Sequence, residues 1–192
     1  VHFARENEFR WVEFKYEPDI FGIPGRVEGE QIRRELELAR IGCSVHAAYH
    51  HGENLGSIDD TIYKRSFWVT TESLQFAAAL GAAFLTLHPG DIPWEQRKSP
   101  LWDLCRKRTW ESINRLADVA ENFGVMIAVE NRNGCDPSLQ KYGKTPEELL
   151  EIREATGNRV VFTLDWGHVL TTGQNPAIPA PTTTTSYLCV IM

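Results

Sequence analysis

The chain has 192 residues, 42% of them apolar and 24% charged, which is enough for one well-buried core. Twenty basic against 26 acidic residues leave a net charge of −6, which excludes a global field drawing in phosphate backbones. A complete barrel of eight β/α units needs roughly 250 residues, so the length leaves room for about five such units.

VHFARENEF at the start reads as the last turns of a helix. WVEFKYE (11–17) alternates and is rich in aromatics, which predicts a strand. EGEQIRRELELARIG follows as a helix with Ile32, Leu36 and Ala39 on one face and Gly42 as its stop. CSVHAAYH (43–50) is the second strand, and about Asp60 to Leu80 a helix ending at Gly81. AFLTLH (83–88) is the third strand. Ser99 as cap, Pro100 at the first helical position and Gly124 beyond the end then frame a long helix. VMIAVE (125–130) is continuously apolar until its last residue, as suits a strand buried on both faces. Thr145-Pro146-Glu147-Glu148 makes a capping box for a helix to about Ala155, and VVFTLD (160–165) is the fifth strand. Strand and helix alternate at about 32 to 41 residues per unit, the pattern of β/α units on a parallel sheet.

Beyond residue 176 the pattern stops. No Lys, Arg, Asp or Glu occurs after Asp165, and the Pro/Thr-rich run into SYLCVIM has no helical or strand period. The expected organisation is therefore one domain over 1–176 and a disordered or non-native tail over 177–192. The final Cys189-Val190-Ile191-Met192 fits a prenylation pattern, but no basic residue upstream supplies a second membrane signal, so chance explains it better. The four cysteines (Cys43, Cys105, Cys135, Cys189) lack CxxC spacing, which predicts free thiols in a reducing compartment. With no apolar run of about 18 residues and no signal peptide, a cytoplasmic protein with no membrane partner is expected. The adjacent Arg106, Lys107 and Arg108 read as a solvated helix surface.

The chemistry sits at strand ends. In parallel β/α architectures the C-terminal ends converge on one face. Those positions carry Glu13, then His46 with His50 and His51, then His88, Glu130, and Asp165 with His168. One such residue would mean little. Several consecutive strands delivering imidazole or carboxylate to one face are hard to ascribe to packing, because buried charge is costly unless paired or bound to a cation. That donor set suits Zn or Mn first, with Mg or Co as further options. Tyr49, Trp94 and Trp166 are candidates for the aromatic floor of a pocket on that face.

The runs VHAAYHHGENLGSIDD, LHPGD, VENRNG and LDWGH resemble the xylose-isomerase-like barrel superfamily, across about residues 10–176. It includes sugar isomerases and epimerases and the endonuclease IV-type apurinic-site nucleases. The resemblance implies an α/β fold, an incomplete TIM (β/α)8-type barrel holding about strands two to six. In the nuclease branch it implies one zinc held by His46, His88 and Glu130, with Asp165 and His168 serving neighbouring ions. In the sugar branch it implies Glu130 and Asp165 as metal-binding and catalytic carboxylates, with Glu13 facing the barrel interior as a substrate contact. The family's later ligands lie on strands seven and eight, and after His168 this chain has no further Asp, Glu or His. The expected function is a metal-dependent sugar or sugar-phosphate isomerase or epimerase, in a truncated chain with reduced activity. An endonuclease IV-type nuclease acting on nucleic acid is the alternative, and a non-catalytic barrel fragment the second. Open sheet edges predict self-association.

Overall fold

Every long strand of this chain runs in the same direction. The computed structural model describes residues 1–17, 26–49, 52–172 and 188–191. The elements are α1 (His2–Glu6), β1 (Trp11–Lys15), α2 (Arg26–Ala39), β2 (Gly42–His46), α3 (Asp60–Leu80), β3 (Phe84–Leu87), β4 (Asp91–Pro93), a 3-10 turn (Trp94–Gln96) and α4 (Pro100–Phe123). They continue as β5 (Met126–Glu130), β6 (Leu139–Lys141), α5 (Pro146–Ala155), β7 (Val161–Asp165), α6 (Trp166–Thr172) and β8 (Leu188–Ile191). The main sheet has six parallel strands in the order β1-β2-β3-β5-β7-β8. β4 and β6 pair antiparallel in a separate two-stranded sheet. The architecture is the α/β, incomplete barrel that the motifs imply. No helix among the described residues is long and apolar enough to cross a membrane.

Alternation along the strands separates packing from chemistry, because successive side chains point to opposite faces. Cys43 and Val45, Leu85 and Leu87, and Ile127 and Val129 join Leu74, Ala77, Ile113, Leu116 and Ala120 of the helices in one buried cluster. Fully burying a side chain of this size contributes about 1.5–3 kcal/mol. The intervening positions are polar or small: Ser44, Thr86, Ala128 and Thr163 are all buried. Ser44 and Thr86 each donate a hydrogen bond to Glu13 Oε2, at 3.1 Å, and Thr86 bonds Thr163 at 3.2 Å. Two residues further along the same faces come His46, His88, Glu130 and Asp165. The sheet's inner surface is thus a hydroxyl layer below and a donor layer above.

The caps of α4 and α5 stand where the sequence places them, and α3 has one that sequence reasoning missed, Asp59. Asp59 accepts from Thr61 and Ile62, Ser99 accepts from Leu101, and Thr145 and Glu148 close a capping box. Gly81 and Gly124 take the left-handed conformation that stops a helix.

Three expectations change. α2 stops at Ala39 with Arg40 left-handed (φ 56°), and Gly42 instead opens β2. Its lack of a side chain is what Trp11 requires, since a Cβ there would lie 2.3 Å from the indole. β2 ends at His46 rather than residue 50, because Ala47 and Ala48 already turn into the loop above the sheet. Within the expected tail, Leu188–Ile191 pairs in parallel with β7, the β-prone LCVI run extending that edge of the sheet. The other tail residues lie outside the described ones, as do His50 and His51.

Gly56 and Gly90 let the loops after β2 and β3 touch. A Cβ on Gly90 would lie 2.5 Å from Gly56 Cα and 2.7 Å from Thr109 Oγ1, the atom that accepts the Gly90 N–H at 3.2 Å. Gly90→Ala is therefore expected to cost about 1–3 kcal/mol by overpacking. Urea unfolding checks this, and an unchanged midpoint would mean that the loops simply separate.

Candidate metal centre

Parallel pairing brings the donors together. Lys15 of β1 registers with His46, His46 with Thr86, and Glu130 with Thr163, so the strand ends sit side by side. Glu130 is the hub. Its Oε2 lies 2.9 Å from His46 Nε2 and 2.7 Å from His88 Nε2, and its Oε1 lies 3.9 Å from His168 Nδ1. Asp165 Oδ2 stands 3.6 Å from His168 Nε2. Two sets of three donors result, His46/His88/Glu130 and Glu130/Asp165/His168, each with ligand atoms within 4.8 Å of one another.

Surrounding groups orient the imidazoles. His46 Nδ1 lies 2.8 Å from the Ala47 carbonyl and His168 Nδ1 lies 2.6 Å from the Asn131 carbonyl. Nδ1 is then the donor in each ring, and Nε2 is turned toward the cluster. In the metal-free chain His46 Nε2–H donates to Glu130, and an ion would take the place of that proton, as at metal-ligating histidines. Asn131 also clamps the next strand: its Nδ2 donates to the Asp165 carbonyl at 3.1 Å and its Oδ1 accepts from the Asp165 N–H at 2.7 Å. The Asp165 carboxylate in turn accepts the His168 N–H at 3.0 Å, fixing the first turn of α6.

Electrostatics follow from burial. Burial works against an ionised Glu130, but hydrogen bonds from His46 and His88 outweigh it and hold the carboxyl well below its ordinary range. Burial likewise works against charged His46, yet the bond to Glu130 and its negative charge, with help from the Ala47 carbonyl, raise its pKa. His88 is pushed down to about 3, mainly by burial, with Arg132 and His46 adding to the effect. The donor set therefore fits a divalent ion. It offers imidazoles oriented by their outer nitrogens, one always-ionised carboxylate shared between two sets, and a second carboxylate beside it.

The cluster forms part of the lining of a cavity of about 530 Å³ that also includes Glu13 and Tyr49. The Tyr49 ring lies over His46 and His88, with centroids 4.6 and 4.9 Å away. Trp94 and Trp166 are not among the lining residues. Trp94 is anchored on the 3-10 turn, with its N–H on the Ser138 carbonyl and its ring under Arg97, and Trp166 opens α6. Sequence reasoning missed Asn131, and also Asp91, Arg132, Asn133 and Lys141 of the same lining. Asp91 stands within LHPGD and Asn131, Arg132 and Asn133 within VENRNG, so the quoted motifs contained that signal, and Lys141 had none. The basic run at 106–108 is neutralised residue by residue: Arg106 pairs with Glu151, Lys107 with Glu111 and Arg108 with Asp60. Cys43, Cys105 and Cys135 are free thiols.

The chain is 25% identical over 177 residues to "Probable endonuclease 4" of Thermoplasma acidophilum, covering 89% of this chain and 53% of that protein. Among solved structures, a D-tagatose 3-epimerase-like protein superposes with a TM-score of 0.77 at 22% identity, covering 92% of this chain and 63% of the other. A D-psicose 3-epimerase from Clostridium cellulolyticum H10 superposes with a TM-score of 0.73 at 19% identity, over 91% and 59%. At such identities these structures establish the fold. The chain spans a little over half the length of these relatives. The model of the xylose isomerase-like TIM barrel family matches residues 1–189, and the chain belongs to that family.

Proposed function

We propose that this chain is a divalent-metal-dependent sugar isomerase or epimerase, with the metal held by His46, His88, Glu130, Asp165 and His168. One observation carries the reading: five imidazole and carboxylate donors meet in a cavity whose size suits a small molecule. A bound Zn or Mn ion would chelate neighbouring sugar oxygens and stabilise the negative charge that builds as a proton leaves the adjacent carbon.

The protein's own groups do the rest. Glu130, buried and saturated by two imidazoles, suits a ligand that stays ionised. Asp165 is the better proton carrier, since its side chain is 28% exposed and lines the cavity. Tyr49 offers a face for the sugar ring's apolar side, and Glu13, held by Ser44 and Thr86, offers a carboxylate for hydroxyl groups. The chain stripped with chelator is expected to bind one or two Mn(II) ions by calorimetry. The Mn(II)-loaded chain should then broaden the carbon resonances of D-fructose. Ion binding without any broadening would remove the sugar reading.

A second reading has one observation in its favour. Two donor sets sharing one carboxylate suit a pair of ions that clamp a phosphodiester, as an apurinic-site nuclease would require. Against it stand the net charge of −6 and the paired state of the basic run on α4. Incision of an abasic oligonucleotide by the Zn-loaded chain, with no sugar broadening, would decide for it.

A further inference from the structure

Lys141 is buried, only 7% exposed, on the short strand β6, where it registers opposite Asp91 of β4. It lines the same cavity as His88 and Glu130. An ammonium has three donors; among the described residues Nζ bonds only Asn133 Oδ1, at 2.6 Å, and no carboxylate lies within ion-pair distance. Asp136 and Asp91 stand near enough to favour its charge, but neither carboxylate pairs with Nζ directly. Asp91 Oδ2 accepts from Arg132 Nη2 at 3.1 Å, and Oδ1 accepts from Asn54 Nδ2 at 2.9 Å. Arg132 thus takes the Asp91 ion pair, and Lys141 keeps two of its three donors without a partner among the described residues. Asn133 Oδ1 also accepts the Cys135 N–H at 3.3 Å, which fixes the amide and leaves the Nδ2 hydrogens without a partner among the described residues.

A buried ammonium with donors left unbonded is costly, and a fold retains one most readily where acceptor oxygens arrive from outside. We infer that Lys141 and Asn133 form a subsite for the phosphate monoester of a phosphorylated sugar. This deepens the sugar reading above and rests on it. A terminal phosphate offers three acceptor oxygens to an ammonium and an amide at the wall of a pocket. A phosphodiester of duplex DNA fits less well, because Lys141 is recessed rather than displayed on a rim. Burial, and then Arg132, lower the Lys141 pKa, and a bound phosphate would reverse that.

The test compares D-ribulose 5-phosphate with D-ribulose by calorimetry on the Mn(II)-loaded chain, and adds inorganic phosphate on the chelator-treated chain. The phosphorylated ketose is expected to bind at least about tenfold more tightly, the scale of one charge-assisted hydrogen bond. Lys141→Met should abolish that preference without changing the number of ions bound, and Lys141→Arg should keep part of it. Equal binding of the two ketoses by the unaltered chain would overturn the subsite and leave the sugar reading intact. If neither ketose binds but inorganic phosphate does, and Lys141→Met removes it, the sugar reading fails and the anion site stands. A preference that survives in Lys141→Met, or is absent in both the unaltered chain and Lys141→Arg, overturns the assignment whether or not the methionine variant is fully folded.

Discussion

Glu130→Ala is expected to lower divalent-ion affinity by more than about a hundredfold, since losing even an outer partner of a metal ligand costs 10–100-fold. The reason is its shared position. Both three-donor sets contain this carboxylate, so one substitution removes a ligand from each. His88→Ala, by contrast, touches one set only, and the Glu130/Asp165/His168 set should retain weak binding. The metal-free chain should also lose about 1–3 kcal/mol, because His46 and His88 are left without their common acceptor. Calorimetry with Zn(II) and Mn(II), together with urea unfolding in chelator, measures both effects. Unchanged ion affinity in Glu130→Ala would place the metal elsewhere.

The melting temperature of the metal-free chain should fall as the solution is acidified from pH 6.5, before most carboxylates titrate. His88 has an ordinary value of 6.5 and is held at about 3 in the fold, so the unfolded chain binds more protons between those values. The stability it contributes is present above pH 6.5 and lost on the way down to about 3. His46 has the opposite sign. Its raised pKa gives stability that is complete below 6.5 and fades as pH rises through the raised value. Glu130, held low, contributes above 4.5 and loses that contribution only as pH falls further. Asp91, raised by burial, opposes His88 in the same window. The net loss between pH 6.5 and 4.5 should be about 1–2 kcal/mol. His88→Gln should flatten that limb, and a limb equally steep in the variant would assign it to other groups.

The strand ends were legible because the apolar runs close on imidazole or carboxylate: CSVH on His46, AFLTLH on His88, VMIAVE on Glu130 and VVFTLD on Asp165. Caps such as Ser99 and Thr145 act within four residues, so their helices begin where the sequence places them. The stop of α2 was not legible. Gly42 looked like a terminator, but its role is set by the ring of Trp11, 31 positions earlier. The aromatic candidates divide for a similar reason. Tyr49 follows a strand end by three residues and remains over the cluster, whereas Trp94 belongs to a turn held by Ser138.

The sequence by itself determined the α/β class, the common face of the donors, and His46, His88, Glu130, Asp165 and His168 as the set to consider. Local periodicity and short-range capping depend on neighbours in the chain, and these the sequence displays directly. The tertiary structure alone decided that Glu130 is shared, that Asn131 clamps the Asp165 strand, and that Arg132 pairs with Asp91 while Lys141 bonds Asn133. Those outcomes depend on distances between residues 8 to 84 positions apart. Charge compensation at such separations is settled by which side chain arrives first at each carboxylate, and only packing determines that.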